Sequence, residues 1–441
     1  MTPRRATRQV KVGDGRTGIV LIGGGIGHGQ DTRAAVSRIH RLEAGPAEIE
    51  APAPVTVQSM ASGYTHDVDK CVAEIHKLAA AGADIVRVAV PERKDTHALP
   101  AILRQTTVPI VADVHFHYKR ALESIEAGVH KIRLNPGNIS DRSQVEEVIR
   151  ACRDAKIPIR VGVNEGSIVE RKDKQKRAAE LAGVFGDRRH GAMLAIMIAK
   201  LEEYLDIFYD NDFFDVVISA KSIDPTLVID AYTEIARRFD HPLHLGVTHA
   251  GPKETGCIRS VVALGTLLAN GIGDTIRISY ANDPIYEVED GLELLWSLGL
   301  RERKGAELIA CPTCGRIQVD LFTLTQNVRA KLAEQITVPM KVAVMGCVVN
   351  GPGEAEGADV AVFAGDRKGI IYVQGERVAT VGESEILDRL LAECVAFQNR
   401  VRSGQAKLGE KKVHITPPDP IGELGSGWEK MAATRLTVEG Q

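Results

Sequence analysis

Cys311-Pro312-Thr313-Cys314-Gly315 puts two thiols on one tight turn. Further on, Gly346-Cys347-Val348-Val349-Asn350-Gly351-Pro352-Gly353-Glu354 adds a third thiol and, seven residues after it, a carboxylate. Three thiolates are soft ligands suited to an iron–sulfur cluster or to zinc. Zinc ribbons use four Cys or His ligands, often as two C-x-x-C pairs, and here the second loop offers only Cys347. Cys71, Cys152 and Cys394 are read as packed core thiols, and Cys257 has no spacing partner. Glu354 is then the natural fourth ligand. A carboxylate is a poor companion for three thiolates on structural zinc. On one iron of a 4Fe–4S cluster it makes chemical sense, because an oxygen ligand can leave and open that iron to substrate.

A second set of reactive side chains interrupts apolar runs. Arg87, Asp113, His115, Arg133, Asn135, Arg160, Asn164, Lys221, Thr248, Arg277 and Ser279 lie in or at the ends of predicted strands. Side chains alternate along a strand, so Asp113 and His115 share a face, as do Arg133 and Asn135, Arg160 and Asn164, and Arg277 and Ser279. The other faces are mostly Val and Ile. Charges turned toward a helix layer would be buried without water, which is costly. The polar face therefore points to the mouth of a barrel, where barrel enzymes keep their active sites. Four arginines and one lysine converging there call for an anion, and a guanidinium fork matches phosphate oxygens. A diphosphate fits better than a single carboxylate. The competing reading is a set of structural ion pairs with Asp84, Asp113 and Asp215; five cations against few inward acids favour the ligand.

The elements that must hold these residues follow from periodicity. Eight apolar runs, at 55–60, 84–90, 109–116, 131–134, 158–164, 215–221, 244–250 and 275–280, are rich in Val and Ile and suit strands. Helical spacing separates them, as in the stretch from Asp67, an N-cap residue, through Val72, Ile75, His76 and Leu78 to Gly82. Strand then helix eight times over is an α/β pattern, that of a (β/α)8 TIM barrel. The connection 168–212 carries a charged run at 170–177, read as a solvated face or mobile loop, and then a long helix ending near Tyr209. The boundaries drawn are an N-terminal segment 1–54, a barrel 55–303, a smaller α/β domain 304–401 with strands at 342–344, 359–363 and 369–373 and a helix at 384–398, and a tail 402–441. Gly23-Gly24-Gly25-Ile26-Gly27-His28-Gly29 fits neither G-x-G-x-x-G nor the P-loop, whose lysine it lacks, and is read as part of a surface insertion.

The chain has 441 residues and a net charge of −3, which argues for no nucleic-acid surface. No apolar run is long enough to span a bilayer. The Arg-bearing start has no apolar run behind it and is no secretory signal. Seven cysteines without an export signal point to a reducing, cytoplasmic setting.

With these motifs the chain resembles the 4-hydroxy-3-methylbut-2-enyl diphosphate synthases of the non-mevalonate isoprenoid pathway. The likeness spans 55–401 and rests on Val57-Gln58-Ser59-Met60, Ile85-Val86-Arg87-Val88-Ala89-Val90-Pro91, Val111-Ala112-Asp113-Val114-His115-Phe116, Arg133-Leu134-Asn135-Pro136-Gly137-Asn138, Gly162-Val163-Asn164 and both cysteine loops. The resemblance implies reductive ring opening and dehydration of 2-C-methyl-D-erythritol 2,4-cyclodiphosphate to the linear allylic diphosphate. It implies a 4Fe–4S cluster on Cys311, Cys314, Cys347 and Glu354, a sulfite-reductase-like second domain, and a homodimer in which one protomer's cluster domain caps the other's barrel. Electrons would come from ferredoxin or flavodoxin. It carries substrate binding onto Arg87, Arg133, Arg160, Asn164, Lys221, Thr248 and Ser279. The family usually has Thr-Glu-Ala-Gly after its seventh strand, its glutamate serving as acid/base; here Thr248-His249-Ala250-Gly251 stands instead. His249 is expected to take over that role, with Asp113 and Glu354 as the other catalytic candidates and Glu254 or His115 as substitute donors. Two other readings compete. One is a non-redox barrel enzyme, such as a dihydropteroate-synthase-like transferase, with a structural zinc module. The other is an inactive paralogue that binds the cyclic diphosphate.

Overall fold

Two strands precede the barrel that the sequence pattern predicts. β1 (Gln9–Asp14) and β2 (Gly18–Gly23) pair antiparallel in the computed structural model. The hairpin needs Gly13, at φ 114°, where a Cβ would fall 2.0 Å from the Gly18 carbonyl oxygen. Its apolar face (Val10, Val12, Ile22) packs on Ile85, Val111 and Val217, near the starts of three barrel strands, and so closes the bottom of the barrel. The Arg-bearing start is pinned there: Arg4 pairs with Asp274 at 2.8 Å and Arg8 with Asp240 at 3.1 Å. This hairpin lies within the N-terminal segment 1–54 and adds two strands to it. The structure describes residues 2–24, 52–114, 117–134, 139, 141–166, 168, 183–186, 189–347, 355, 357–365 and 367–410. His115, Asn135, the charged run 170–177, Glu354, the Gly-rich stretch beyond Gly24 and the tail beyond Glu410 lie outside them.

The barrel strands are β3 (Thr56–Met60), β4 (Ile85–Val90), β5 (Ile110–Val114), β6 (Lys131–Leu134), β7 (Ile159–Asn164), β8 (Val216–Lys221), β9 (His244–Leu245) and β10 (Thr275–Ile276). All neighbours run parallel, in the order β8-β7-β6-β5-β4-β3-β10-β9. A parallel bridge between Ile218 and Leu243 joins β8 to β9 and closes the ring. β9 and β10 are shorter than their apolar runs, because beyond Leu245 and Ile276 the backbones bond singly: Arg277 N–H to Leu245 O at 3.0 Å, Thr248 N–H to Ser222 O at 3.1 Å. Outward Val and Ile side chains pack under the helices as parity requires; Val57 lies against helix Pro284–Ser297 at Gly291. Helix Val68–Ala80 begins after Asp67, but that side chain makes no capping bond and takes the Lys70 ammonium at 2.6 Å instead.

The chain divides into two compact units, Met1–Arg301 and Glu302–Gln441. The second holds a five-stranded sheet: β11 (Glu307–Ala310), β12 (Lys341–Met345) and β13 (Val360–Gly365) run parallel, then β14 (Lys368–Val373) and β15 (Glu376–Gly382) antiparallel. Helices Leu321–Gln335 and Ile386–Arg402 join one face, their Val328, Leu332, Leu390 and Phe397 meeting Val342, Val344, Val360 and Val362. Cys394 lies in this core, and Cys71 and Cys152 are fully buried in the barrel unit. Burial pushes the Cys71 and Cys394 thiols up to about 12, which suits packing rather than ligation.

Candidate functional site

Inward positions on β4, β6, β7 and β8, and one just past β10, supply the cations at the barrel mouth. Arg87 on β4, Arg133 on β6, Arg160 on β7 and Lys221 on β8, with Arg277 just past β10, line one small cavity of about 90 Å³ together with Asn164, Thr248 and Ser279. The register explains the convergence: Arg133 lies opposite Arg160, and Asn164 opposite Lys221. Two glycines make room. A Cβ at Gly162 would come 2.8 Å from Ser219 Oγ, and one at Gly246 would come 2.8 Å from Lys221 Nζ and 2.9 Å from the Arg277 carbonyl oxygen. Ser219 and Gly246 are site positions outside the motifs, and Gly162 lies in a motif that does not announce its spatial role. Their signal is parity alone, since each falls on the inward register of its strand.

Part of the charge is compensated within the protein. Arg133 Nη1 donates to Asp113 Oδ1 at 2.9 Å, Arg87 Nε stands 3.5 Å from Asp113 Oδ2, and Arg277 stands 3.5 Å from Glu287. The ion-pair reading thus holds for Asp113, whereas Asp84 pairs with Arg301 away from the mouth. Among the described residues, these ion pairs set two carboxylates against the five cations of this cavity. Arg160 is 1% exposed, and its Nε and Nη1 have no hydrogen-bond partner among the described residues. Burial pushes the Arg87 guanidinium down to about 9 against the opposing pull of Asp113. Burial, then the neighbouring arginines, holds Arg160 and Lys221 well below their ordinary values. Two like charges ~6 Å apart at an effective dielectric of ~20 repel by roughly 3 kcal/mol. An entering polyanion relieves that repulsion and fills the open donors. Gly246→Ala should therefore displace the Lys221 ammonium and weaken diphosphate binding about tenfold or more, since a charged hydrogen bond contributes ~1.5–3 kcal/mol. Calorimetric titration reads this directly, and unchanged affinity would separate Lys221 from the ligand.

A second cavity, of about 470 Å³, adjoins the first through their shared Arg277 and is lined by Met60, Tyr64, His66, Tyr280 and Glu287 among others. Glu287 is 5% exposed, accepts the Tyr280 N–H at 3.1 Å and is pushed upward in pKa by burial, which the Arg277 charge opposes. The sequence reading passed over it because it begins a helix rather than ending a strand. His249 is exposed, with φ 53°, and is not among the residues lining the anion cavity. Its place one residue past Thr248, on the opposite parity, accounts for this. Glu254 is also exposed.

In the second unit, parallel pairing sets the cysteines side by side. β11 and β12 align Ala310 with Val344, so Cys311 and Cys347 follow the same ends of neighbouring strands. The Gly346 N–H donates to Cys311 Sγ at 3.2 Å, and the Gln318 N–H donates to the Gly346 carbonyl at 3.2 Å. Gly346 is required for this closure, since a Cβ there would sit 2.8 Å from Ile317 Cγ2. Cys311 and Cys314 are partly exposed and Cys347 is buried. Among the described residues no group of three His, Cys, Asp or Glu side chains is disposed to hold a single metal ion. The corner offers thiols with a backbone donor on one sulfur, the setting in which hydrogen bonds tune an iron–sulfur centre.

Fold and site define a class: a parallel α/β barrel with a cation-lined mouth, carried on one chain with a thiol-bearing sheet domain. Comparison makes it particular. A family model described as the GcpE TIM-barrel domain matches residues 39–292, and one described as the GcpE protein C-terminal domain matches 307–396. A relative from Corynebacterium diphtheriae, named 4-hydroxy-3-methylbut-2-en-1-yl diphosphate synthase (flavodoxin), is 43% identical over 396 residues, 90% of this chain and 89% of its own. Like-named relatives are 43% identical over 87% of this chain and 96% of their own in Streptomyces coelicolor, and 45% identical over 82% and 89% in Salinispora arenicola. The chain belongs to this family of synthases. The reading as an oxidoreductase of the non-mevalonate pathway stands with it, ahead of the zinc-bearing transferase. The chain also carries cysteines as an iron–sulfur enzyme of this family requires. No helix among the described residues is long and apolar enough to cross a membrane.

Proposed function

We propose that the chain converts 2-C-methyl-D-erythritol 2,4-cyclodiphosphate to 4-hydroxy-3-methylbut-2-enyl diphosphate. The cyclic dianion takes up two electrons and one proton, its ring C–O bond breaks, and a hydroxyl leaves as water, giving the linear trianion. The observation that carries this reading is the buried cation cluster with open donors in a cavity of about 90 Å³. Arg87, Arg133, Arg160 and Lys221 hold the diphosphate, with Asn164, Thr248 and Ser279 bonding its remaining oxygens. Their work is positional and electrostatic. Cys311, Cys314 and Cys347, with Glu354 as the replaceable fourth ligand, would hold a 4Fe–4S cluster, which when bound supplies the electrons. The relatives' names favour flavodoxin over ferredoxin as donor. A cytoplasmic homodimer, one protomer's cluster domain serving the other's barrel, completes the reading. An anaerobic single-turnover assay with dithionite tests it: linear diphosphate should form, and binding without product would make the chain an inactive paralogue.

The proton is assigned to His249, whose loop follows Thr248. A positioned acid accelerates such a step by ~10²–10⁴. His249→Gln is expected to slow turnover within that range and to change the acid–base limbs of the pH–rate profile, while His249→Glu restores much of the rate. A glutamine variant with wild-type rate and the same limbs would move the role to another group. Asp113, tied to Arg133 and Arg87, would then act only through them.

A further inference from the structure

We propose that Lys131 and His244, enclosed in the barrel beneath the anion cavity, form a proton reservoir that fills when the cyclic diphosphate binds. The inference rests on the functional reading above. Lys131 opens β6 two residues before Arg133, and His244 opens β9 two residues before Gly246. Thr275 is in register with both His244 and Thr56. His244, Thr275 and Thr56 thus share one register, a step below Gly246 and Arg277, while Lys131 lies a step below Arg133 and close enough to act on His244 electrostatically. Lys131, His244 and Thr275 are all 0% exposed. Lys131 Nζ, both ring nitrogens of His244, the hydroxyls of Thr56 and Thr275, and both amide atoms of Gln58 have no hydrogen-bond partner among the described residues. Buried polar atoms without protein partners are ordinarily satisfied by internal water, which this layer would take up. An amine and an imidazole joined by water are also a path for protons.

The charges around this layer come from every side. Arg87 on β4, Arg133 on β6, Arg160 on β7, Lys221 on β8 and Arg277 beyond β10 lie above it, and the carboxylates among them, Asp113 on β5 and Glu287 behind Arg277, already face arginines. Burial first, then Arg160 and Arg87, holds the Lys131 ammonium well below its ordinary range. Burial, then Arg160, Lys221, Lys131 and Arg87, does the same to His244. A dianion seated on Arg160 and Lys221 offsets most of that excess positive charge across one layer of side chains in a low-dielectric interior. Protons then enter where they were excluded, under the bond whose cleavage consumes one.

The test is calorimetric titration of the full chain with the cyclic diphosphate, without reductant, in buffers of different ionisation heat. The ligand's phosphodiester groups titrate only in acid, so proton uptake belongs to the protein. At about pH 8, wild type should take up on the order of one proton per ligand. Lys131→Met should lose about half of that uptake or more while still binding; His244→Gln provides the same reading independently of how the first variant folds. Binding with no proton exchange overturns the reservoir and leaves the functional reading standing. Absence of binding overturns both. Uptake unchanged in both variants places the protons elsewhere and overturns the assignment. Melting carries a further sign. The unfolded chain keeps its lysine proton up to ~10.4 while burial holds folded Lys131 below that range, so the unfolded chain binds more protons and the contribution of Lys131 to stability rises with pH toward ~10.4. Lys131→Met should raise the melting temperature near neutrality and lose that rise; a lowered melting temperature at neutral pH would instead mark Lys131 as a paired, charged group.

Discussion

Replacing Cys347 with alanine is expected to abolish both the visible iron–sulfur absorption and turnover while leaving the chain folded. Cys347 is 8% exposed and follows β12 beside the end of β11, where Cys311 receives the Gly346 N–H. Removing its sulfur takes one of three thiolates from a corner where no other cysteine is at hand, since Cys394 is fully buried in the helix-facing core. The packing loss is that of one buried heavy atom, on the order of 1 kcal/mol, which a chain of this size tolerates. Loss of the centre and retention of the fold should therefore separate cleanly. Iron and sulfide content and absorption after anaerobic reconstitution read the first, and circular dichroism reads the second. A variant with full iron and sulfide would remove Cys347 from the ligand set. Loss of fold together with the centre would mean that the thiol is structural.

How far the sequence could foretell this architecture varied with local physics. Strands β4 to β8 start and end within two residues of their apolar runs, because a strand buried on its outer face must stay apolar there. β9 and β10 were overextended, since the apolar run continues where the ladder has thinned to single bonds. The β1–β2 hairpin is weakly encoded: Val10 and Val12 alternate with polar residues as a strand should, but the Arg-bearing start and the Gly-rich stretch beside it fit targeting and insertion patterns equally. β15, an edge strand without a buried residue, and the four-residue β11 have too little hydrophobic signal to stand out. In the site, parity was sufficient for Arg87, Arg133, Arg160 and Lys221, because charge on an inward face has few places to go. It could not say that Asp113 is tied to two of those arginines, nor that Gly162 and Gly246 are the space their heads occupy. Both depend on distances across strands far apart in sequence.

Arg160→Leu should change stability and binding in opposite directions. Arg160 is 1% exposed, two of its nitrogens find no partner among the described residues, and Arg87, Arg133 and Arg277 act on it alongside a single acid, Asp113. Exchanging such a buried charge for a side chain that packs is often neutral or stabilising by ~1–4 kcal/mol. In a domain this large each kcal/mol moves the melting temperature by about 2–4 °C. The unliganded variant should thus melt at or above wild type. The same exchange removes a guanidinium from the diphosphate, and a charged hydrogen bond contributes ~1.5–3 kcal/mol, so affinity should fall tenfold or more. The stabilisation conferred by ligand shrinks with it. Melting curves with and without the cyclic diphosphate read both effects in one experiment. If Arg160 were instead half of a structural ion pair, its loss would strand a buried carboxylate: stability would fall and affinity would hold. The two accounts of the cation cluster therefore predict opposite signs on each axis, because in the ligand account the like-charge repulsion that lowers stability is what an anion relieves.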